Sequence, residues 1–355
     1  MEVKLEDIRY IYENEIRKNV KNKKKIFDFE RNKLQYFLTA KYILENNQYR
    51  GGKYCIFLIH EPKERVIMSQ NVFDKLINHY ITKSILIPKL SKYLNDRNCA
   101  TRKNMGTAYA LKLVLKDIEG FKKYKEFYFL KLDIKKYFYN ISHEKLKELI
   151  KDDLNEEEFK LISTIIDSTD KEYVNGCIEY LENRYNTKLP KYKKGFGLPI
   201  GNLSSQFLAV FYLSKLHHFI IHNLHLKMIC YMDDYIFIHE SKEYLEKCLE
   251  IIRNMLEKEY GLSINDKKTF IVSSRIGLSF LGYIIRVING RTIVTLTRDA
   301  KKSIRKGIKR TKYYYINNDI NFMQYFASMQ SIAHGHIFVR GKKVKQIIDN
   351  VKGSF

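Results

Sequence analysis

Tryptophan is absent from these 355 residues, and proline occurs only four times. Proline fixes φ and removes a backbone donor, so its scarcity leaves long helices unobstructed and argues against a loop-rich fold. The five cysteines, Cys55, Cys99, Cys177, Cys230 and Cys248, form no CxxC pair, which removes the zinc-ribbon reading. Scattered thiols, with no apolar leader in Met1-Glu-Val-Lys-Leu-Glu, point to a reducing cytoplasm. No uncharged apolar run approaches the length of a membrane span, so no membrane partner is expected. Acidic residues are also in short supply. Forty Asp and Glu face 64 Lys and Arg, a formal net charge of +24. Such a field attracts polyanions. Nucleic acid is the common one, an anionic membrane surface is the rival, and lysine enrichment from an AT-rich genome is the ordinary explanation.

What is present supports a large core divided into subdomains: 45% hydrophobic residues, with 27 Tyr and 21 Phe. Residues 1–50 read as helices carrying a basic cluster at Arg17, Lys18, Lys21, Lys23, Lys24 and Lys25. Residues 53–68 read as a hairpin around His60-Glu61-Pro62. Helical periodicity follows over 69–95 and 107–119, then a strand from Phe127 ending at Asp133. Residues 143–168 read as helical, 185–196 as a basic loop, and Ser204 to His225 as one helix. Residues 227–239 are two apolar runs flanking an acidic pair, and 242–259 form an amphipathic helix. Ser279–Arg286 and Thr292–Leu296 read as strands meeting at Asn289-Gly290, with a basic helix over 298–316. No internal repeat or disordered linker is evident.

The chemistry sits on aspartates. Asp133 lies where an apolar strand runs out, and Asp233 and Asp234 occupy a tight turn between two apolar strands. Carboxylates beside buried β structure are costly unless a cation compensates. Hard divalent cations take oxygen ligands, and two of them can activate a 3′-hydroxyl and stabilise leaving pyrophosphate. Any one of these aspartates alone reads as a turn residue.

Together with their neighbours they resemble reverse transcriptases. Tyr231-Met232-Asp233-Asp234 resembles motif C, and Leu132-Asp133-Ile134-Lys135-Lys136-Tyr137-Phe138 resembles motif A. Gly197–Gln206 resembles motif B. Leu262–Asn265 with Lys267-Lys268-Thr269 resembles motif D, and Phe280-Leu281-Gly282-Tyr283 resembles motif E, the primer grip. Five motifs in order carry far more weight than one.

The resemblance implies an α+β right-hand polymerase with fingers, an antiparallel-sheet palm and a helical thumb. The expected division is a basic N-terminal extension over 1–29, fingers over 30–125, palm over 126–289 with an insertion near 150–196, and thumb over 290–355. It implies RNA-directed DNA polymerase activity with two Mg²⁺ ions, Mn²⁺ being a substitute. Asp133 and Asp233 would ligate both metals, the Ile134 carbonyl assisting and Asp234 standing more peripherally. Lys268 would protonate or neutralise pyrophosphate. Phe138 matches the steric gate that selects dNTPs, where a core aromatic is the rival. Lys63 and Arg65, with Arg102 and Lys103, match basic residues that grip the triphosphate; solvated surface charge is the rival.

Motif B departs from the common Gln-Gly-x-x-x-Ser-Pro form. Ile200 replaces the Gln that touches the nucleotide, Gly201 is kept, and Gln206 replaces the Pro. This version resembles reverse transcriptases of diversity-generating retroelements, in which it goes with error-prone copying opposite adenine. The short length, with no maturase or endonuclease extension, agrees. Antiphage defence reverse transcriptases carry related variants, and a catalytically vestigial RNA-binding scaffold is the third reading. Implied partners are an RNA template (a dedicated noncoding RNA), a DNA or RNA primer, dNTPs, and an accessory protein or homo-oligomer.

Two further features are readable. Arg298, Lys301, Lys302, Arg305, Lys306, Lys309 and Arg310 recur at three-to-four spacing, a phosphate-tracking stripe for a template–primer duplex. His217, His218, His222 and His225 share a helical face, but no Cys or acidic partner is in register for zinc.

Overall fold

The computed structural model describes residues 2–60 and 64–334. Most of the expected elements form, organised by three antiparallel sheets; the last part of the expected thumb, 335–355, lies outside the described residues. Helices Leu5–Ile11, Lys23–Glu30 and Lys33–Glu45 pack against Val72–Ile81. Asn22 starts the second of these by accepting from the Lys25 amide, and Asn71 starts the last by accepting from the Asp74 amide. Ile8, Phe37, Leu44, Leu76 and Ile77 are the buried face they share. The first sheet is the hairpin of β1 (Cys55–Ile59) and β2 (Arg65–Ser69), paired from Cys55↔Ser69 to Ile59↔Arg65. Lys63 lies outside the described residues.

The central sheet contains β3 (Tyr128–Asp133), β4 (Lys227–Tyr231), β5 (Asp234–His239) and β6 (Phe270–Ser273), in the order β4-β5-β3-β6. Its side chains alternate between two cores. Leu130, Leu132, Met228, Cys230, Tyr235 and Phe237 join the N-terminal helices. Phe129, Ile229, Ile236 and Ile238 join Leu111, Val114 and Ile118 of helix Thr107–Phe121. Both faces are buried, so these strands are written as continuous apolar runs rather than alternating ones. Each fully buried Phe or Ile contributes about 1.5–3 kcal/mol. A one-residue slip would exchange the two cores, so packing holds the register, and the register sets Asp133 opposite Asp234.

The third sheet differs from expectation. The apolar run at 279–286 is two strands, β7 (Leu278–Phe280) and β8 (Tyr283–Ile288), folded back through Leu281 and Gly282. Their φ values of 47° and 85° make a tight left-handed turn, which glycine eases. The second turn forms as expected at Asn289-Gly290 and leads to β9 (Arg291–Leu296). Strand β6 carries little sequence signal because it is short and only partly buried. The expected helix from Ser204 to His225 is two helices, Leu203–Tyr212 and Ser214–His222, parted where Leu213 leaves helical geometry at φ −100°, ψ 13°. Among the described residues no helix is long and apolar enough to cross a membrane.

Buried histidines tie this packing to pH. His217 is 1% exposed, with Nε2 2.9 Å from the Tyr235 hydroxyl. Burial pushes its pKa down to about 3, and burial pushes that of His79 down to about 4. Both sit neutral in the fold and gain protons first in the unfolded chain. Their stabilisation is therefore complete above the unfolded value near 6.5 and is lost as pH falls toward 4. The melting temperature should drop by on the order of 10 °C between pH 7 and pH 4.5. A flat melting profile over that interval contradicts the assignment.

Candidate active site

The turn between β4 and β5 is Met232-Asp233, with Met232 held at φ 59°. Cross-strand pairing sets Tyr231 opposite Asp234, and Asp234 opposite Asp133 of the neighbouring strand. Asp133 is 6% exposed. The motif D segment runs antiparallel beside it. Ile134 bridges Ile264, Lys135 donates to Ser263 O, and Asn265 donates its amide to Asp133 O at 2.8 Å. Two cations compensate the acids. Lys268 Nζ lies 2.9 and 3.1 Å from the Asp133 oxygens, and Lys131 Nζ lies 3.4 Å from Asp234 Oδ1. Asn265 adds a donor to Asp133 Oδ1 at 2.9 Å. Burial, then the neighbouring Asp234 and Asp133 charges, raise the Asp233 pKa despite its own backbone amide and Lys268.

Repelling carboxylates massed at the ends of buried strands offer oxygen donors alone. That donor set, its excess of negative charge and the free space beside it fit a hard divalent cation. Among the described residues, the group of three whose ligand atoms lie within 4.8 Å of one another is a different one: His143, Asp167 and Asp170.

A cavity opens beside Asp233, lined by Glu64, Arg65, Lys136, Tyr137, Phe138, Tyr139, Pro190, Ile200, Gly201, Gln206 and Met232. It joins β2, the turn after β3 and the loop before helix Leu203–Tyr212. Lys136, at φ 48°, begins the short helix Tyr137–Asn140 and so turns Phe138 toward this space. The Met68 amide donates to Ile200 O at 2.8 Å, and a Cβ on Gly201 would stand 3.2 Å from Ile67 Cγ2 and from Met68 O. Close approach of the β1–β2 hairpin thus requires glycine there.

Arg102 and Lys103 are not brought to this cavity. Arg102 donates to Asn95 O at 2.6 Å and lies 3.4 Å from Asp96. Both line a separate depression with Asp7, Tyr10, Glu15 and Lys83. The cause is local: Asn98 and Cys99 are pinned to Cys230 of β4, which fixes where the following loop emerges. Of the four residues of motif E, Phe280 and Tyr283 are a buried cross-strand pair, and Leu281-Gly282 is the half-buried tip. Helix Arg298–Ile316 buries Ile304 and Ile308 and exposes Arg298, Lys302, Arg305, Lys306, Lys309 and Arg310 on its outer side, Lys301 being half-buried. Of the histidines, His217 is buried and bonds Tyr235, while His218 stacks on the exposed His222 at 5.8 Å.

Sequence reasoning passed over Lys131, and quoted Lys136 and Asn265 within motifs A and D without giving either a role. A signal existed for the first: Lys131 is two residues from Asp133 on a strand and so shares its face.

The profile of the family described as reverse transcriptase (RNA-dependent DNA polymerase) matches residues 60–285. A structure of apo telomerase from Candida tropicalis truncated from its C-terminal domain is 19% identical over 75% of this chain and 60% of that one, with a TM-score of 0.44. Apo telomerase from Candida tropicalis is 16% identical over 80% and 52%, with a TM-score of 0.48. Telomerase from Candida albicans in complex with a fragment of telomeric RNA is 14% identical over 85% and 58%, with a TM-score of 0.47. The chain spans between half and three-fifths of the length of these structures. No curated protein matches. The fold is the α+β right hand of the template-dependent polymerases, an antiparallel palm sheet backed by helices. With the profile covering well over half of its length, the chain belongs to the reverse transcriptase family of nucleotidyltransferases.

Proposed function

We propose that the chain copies an RNA template into DNA, joining a primer 3′-hydroxyl to the α-phosphate of a dNTP with loss of pyrophosphate. The observation that carries this reading is the pairing of Asp133 with Asp234 across adjacent strands, Asp233 at the turn beside them, and a nucleotide-sized opening lined by Phe138, Ile200 and Gln206. Asp133, Asp233 and the Ile134 carbonyl would hold two Mg²⁺ ions, or Mn²⁺ as a substitute, with Asp234 more peripheral, and ions bound there would supply polarisation of the reacting oxygens.

The chain's own residues bind and orient. Arg65 and Lys136 face the opening and suit the triphosphate. Phe138 lines the opening, and its ring suits a steric gate against a ribose 2′-hydroxyl. Lys268, already beside Asp133, is the cation to neutralise or protonate pyrophosphate. Leu281-Gly282 at the tip of β7–β8 suits contact with the primer end, and the exposed face of Arg298–Ile316 suits the duplex backbone. We place the fingers over 30–125 and the palm from 126 through β9, because β9 belongs to the sheet of β7 and β8. The thumb then starts at Arg298, and residues 1–29 are a basic extension. Purified protein with Mg²⁺, dNTPs and a primed RNA template should extend the primer; no extension on any RNA template contradicts the reading.

Within that activity we favour a diversity-generating role, with a dedicated noncoding RNA as template. The support is Ile200 on the cavity wall, where an aliphatic side chain cannot hydrogen-bond a mispaired nucleotide into or out of register. Sequenced products should carry errors concentrated opposite adenine, and Ile200→Gln should lower them roughly tenfold, the worth of one hydrogen bond. Errors spread evenly over the four template bases contradict it.

A further inference from the structure

The opening beside Asp233 is braced by residues that belong neither to its lining nor to the cluster of Asp133, Asp233 and Asp234. His143 begins the helix His143–Ile150 and is 3% exposed. Its Nε2 lies 2.7 Å from Gly197 O. Its Nδ1 lies 3.3 Å from Asp167 Oδ1 and 3.5 Å from Asp170 Oδ2, an ion-pair contact rather than a well-aligned hydrogen bond. Both ring nitrogens therefore face oxygen acceptors. The Nε2 edge thus meets Gly197 O within hydrogen-bond distance, while the Nδ1 edge packs against the two carboxylates. Lys147 Nζ lies 2.6 and 2.7 Å from the Asp167 oxygens and holds that carboxylate in place. Burial works against the Asp167 carboxylate, yet His143 and Lys147 hold its pKa below the usual range. Asp170 is further held by the Gly195 amide at 2.9 Å.

What this cluster grips is the backbone that leads into motif B. Gly197 O accepts from His143 and also from the Thr169 hydroxyl at 2.9 Å. The Gly197 amide donates to Ile141 O at 2.8 Å, and the Leu198 amide donates to Phe138 O at 2.8 Å. Three residues on, Ile200 O accepts from Met68 of β2. The segment from Gly197 to Gly201 is thus strung between Phe138 and the β1–β2 hairpin, and it supplies Ile200 and Gly201 to the opening. It has no slack: Gly197 sits at φ +90°, and a Cβ there would stand 2.5 Å from Tyr192 Cδ1.

We propose that His143 is a positioning residue: set between the Asp167 and Asp170 carboxylates and Gly197 O, it fixes the Gly197–Gly201 segment against Phe138 and so sets the width of the nucleotide opening. The role rests on the polymerase reading; the clamp itself does not. The rival is a divalent-cation site on the same three side chains, which the Lys147 ammonium beside Asp167 opposes.

The test uses full-length protein in single-nucleotide incorporation on a primed RNA template, with active enzyme counted by burst titration so that misfolded protein drops out. His143→Ala should raise the KM for dNTP roughly tenfold and narrow the preference for dNTP over rNTP by a similar factor, with kcat within about twofold. His143→Gln, which keeps one donor for Gly197 O, should recover most of both. Histidine ¹⁵N spectra of the wild type should show a hydrogen-bonded proton on Nε2 of His143, a readout independent of activity. An unchanged KM and sugar preference in His143→Ala overturns the positioning role. A ring with no proton on Nε2, or stoichiometric Zn²⁺ in the wild type that His143→Ala lacks, overturns the clamp. A wild type that extends no primer removes the polymerase reading and the role with it, while the spectra still decide the clamp.

Discussion

Asp233→Asn should reduce primer extension by roughly a thousandfold or more while making the metal-free protein more stable. Asparagine is nearly isosteric with aspartate, so the turn and the flanking strands keep their packing, and one negative charge is lost. That charge is held at a cost. Burial and the adjacent Asp234 and Asp133 raise the Asp233 pKa, which means that the fold disfavours the ionised form. Removing it relieves repulsion between acids and raises the melting temperature in EDTA, as expected where a site trades stability for function. Removing it also takes away electrostatic stabilisation where charge develops in phosphoryl transfer, and losses of that kind reach roughly a hundredfold to a thousandfold for a single donor. Activity within about tenfold of wild type, or a lower melting temperature, contradicts the role given to Asp233.

Phe138→Ala should open the enzyme to ribonucleotides, raising the rNTP:dNTP incorporation ratio by about tenfold to a hundredfold, the range available to a change of apolar volume in a pocket. The ring lies on the cavity wall, half-buried, with Tyr137 edge-on at 6.0 Å behind it. Tyr137 is anchored by its hydroxyl to Ala209 O, so the backbone at 138 stays in place when the ring is removed. Truncation then vacates space without collapsing the wall. Competing rNTP and dNTP on one template read the ratio directly. A ratio unchanged from wild type assigns Phe138 to packing alone.

Much of the palm was legible because its strands are buried on both faces. Continuous apolar runs ending at Asp133 and flanking Asp233-Asp234 announce strands whose ends carry charge, whatever their order in the sheet. The pairing Asp133↔Asp234 was not legible, since register follows from which core each side chain enters, and two cores are visible only in three dimensions. The turn at Leu281-Gly282 was hidden inside one unbroken apolar run, although Gly282 marks it in retrospect. Arg102 and Lys103 show the limit for surface cations. They have no packing signature, and the pairing of Asn98 with Cys230 decided their direction. Lys131 was readable from strand period and was overlooked. His143, Asp167 and Asp170 carry no motif at all, because a clamp made of one helix end, one turn and one backbone carbonyl leaves no spacing to recognise.

The central claim is that Asp133, Asp233 and Asp234 gather divalent cations at the end of a growing strand. Crystals of the protein with primed RNA template, an unreactive dNTP analogue and Mn²⁺, measured for anomalous scattering, test it most directly. The account predicts manganese peaks between the Asp133 and Asp233 carboxylates and against the triphosphate beside Phe138. Manganese found only at His143, Asp167 and Asp170, or nucleotide bound away from Asp233, would contradict it.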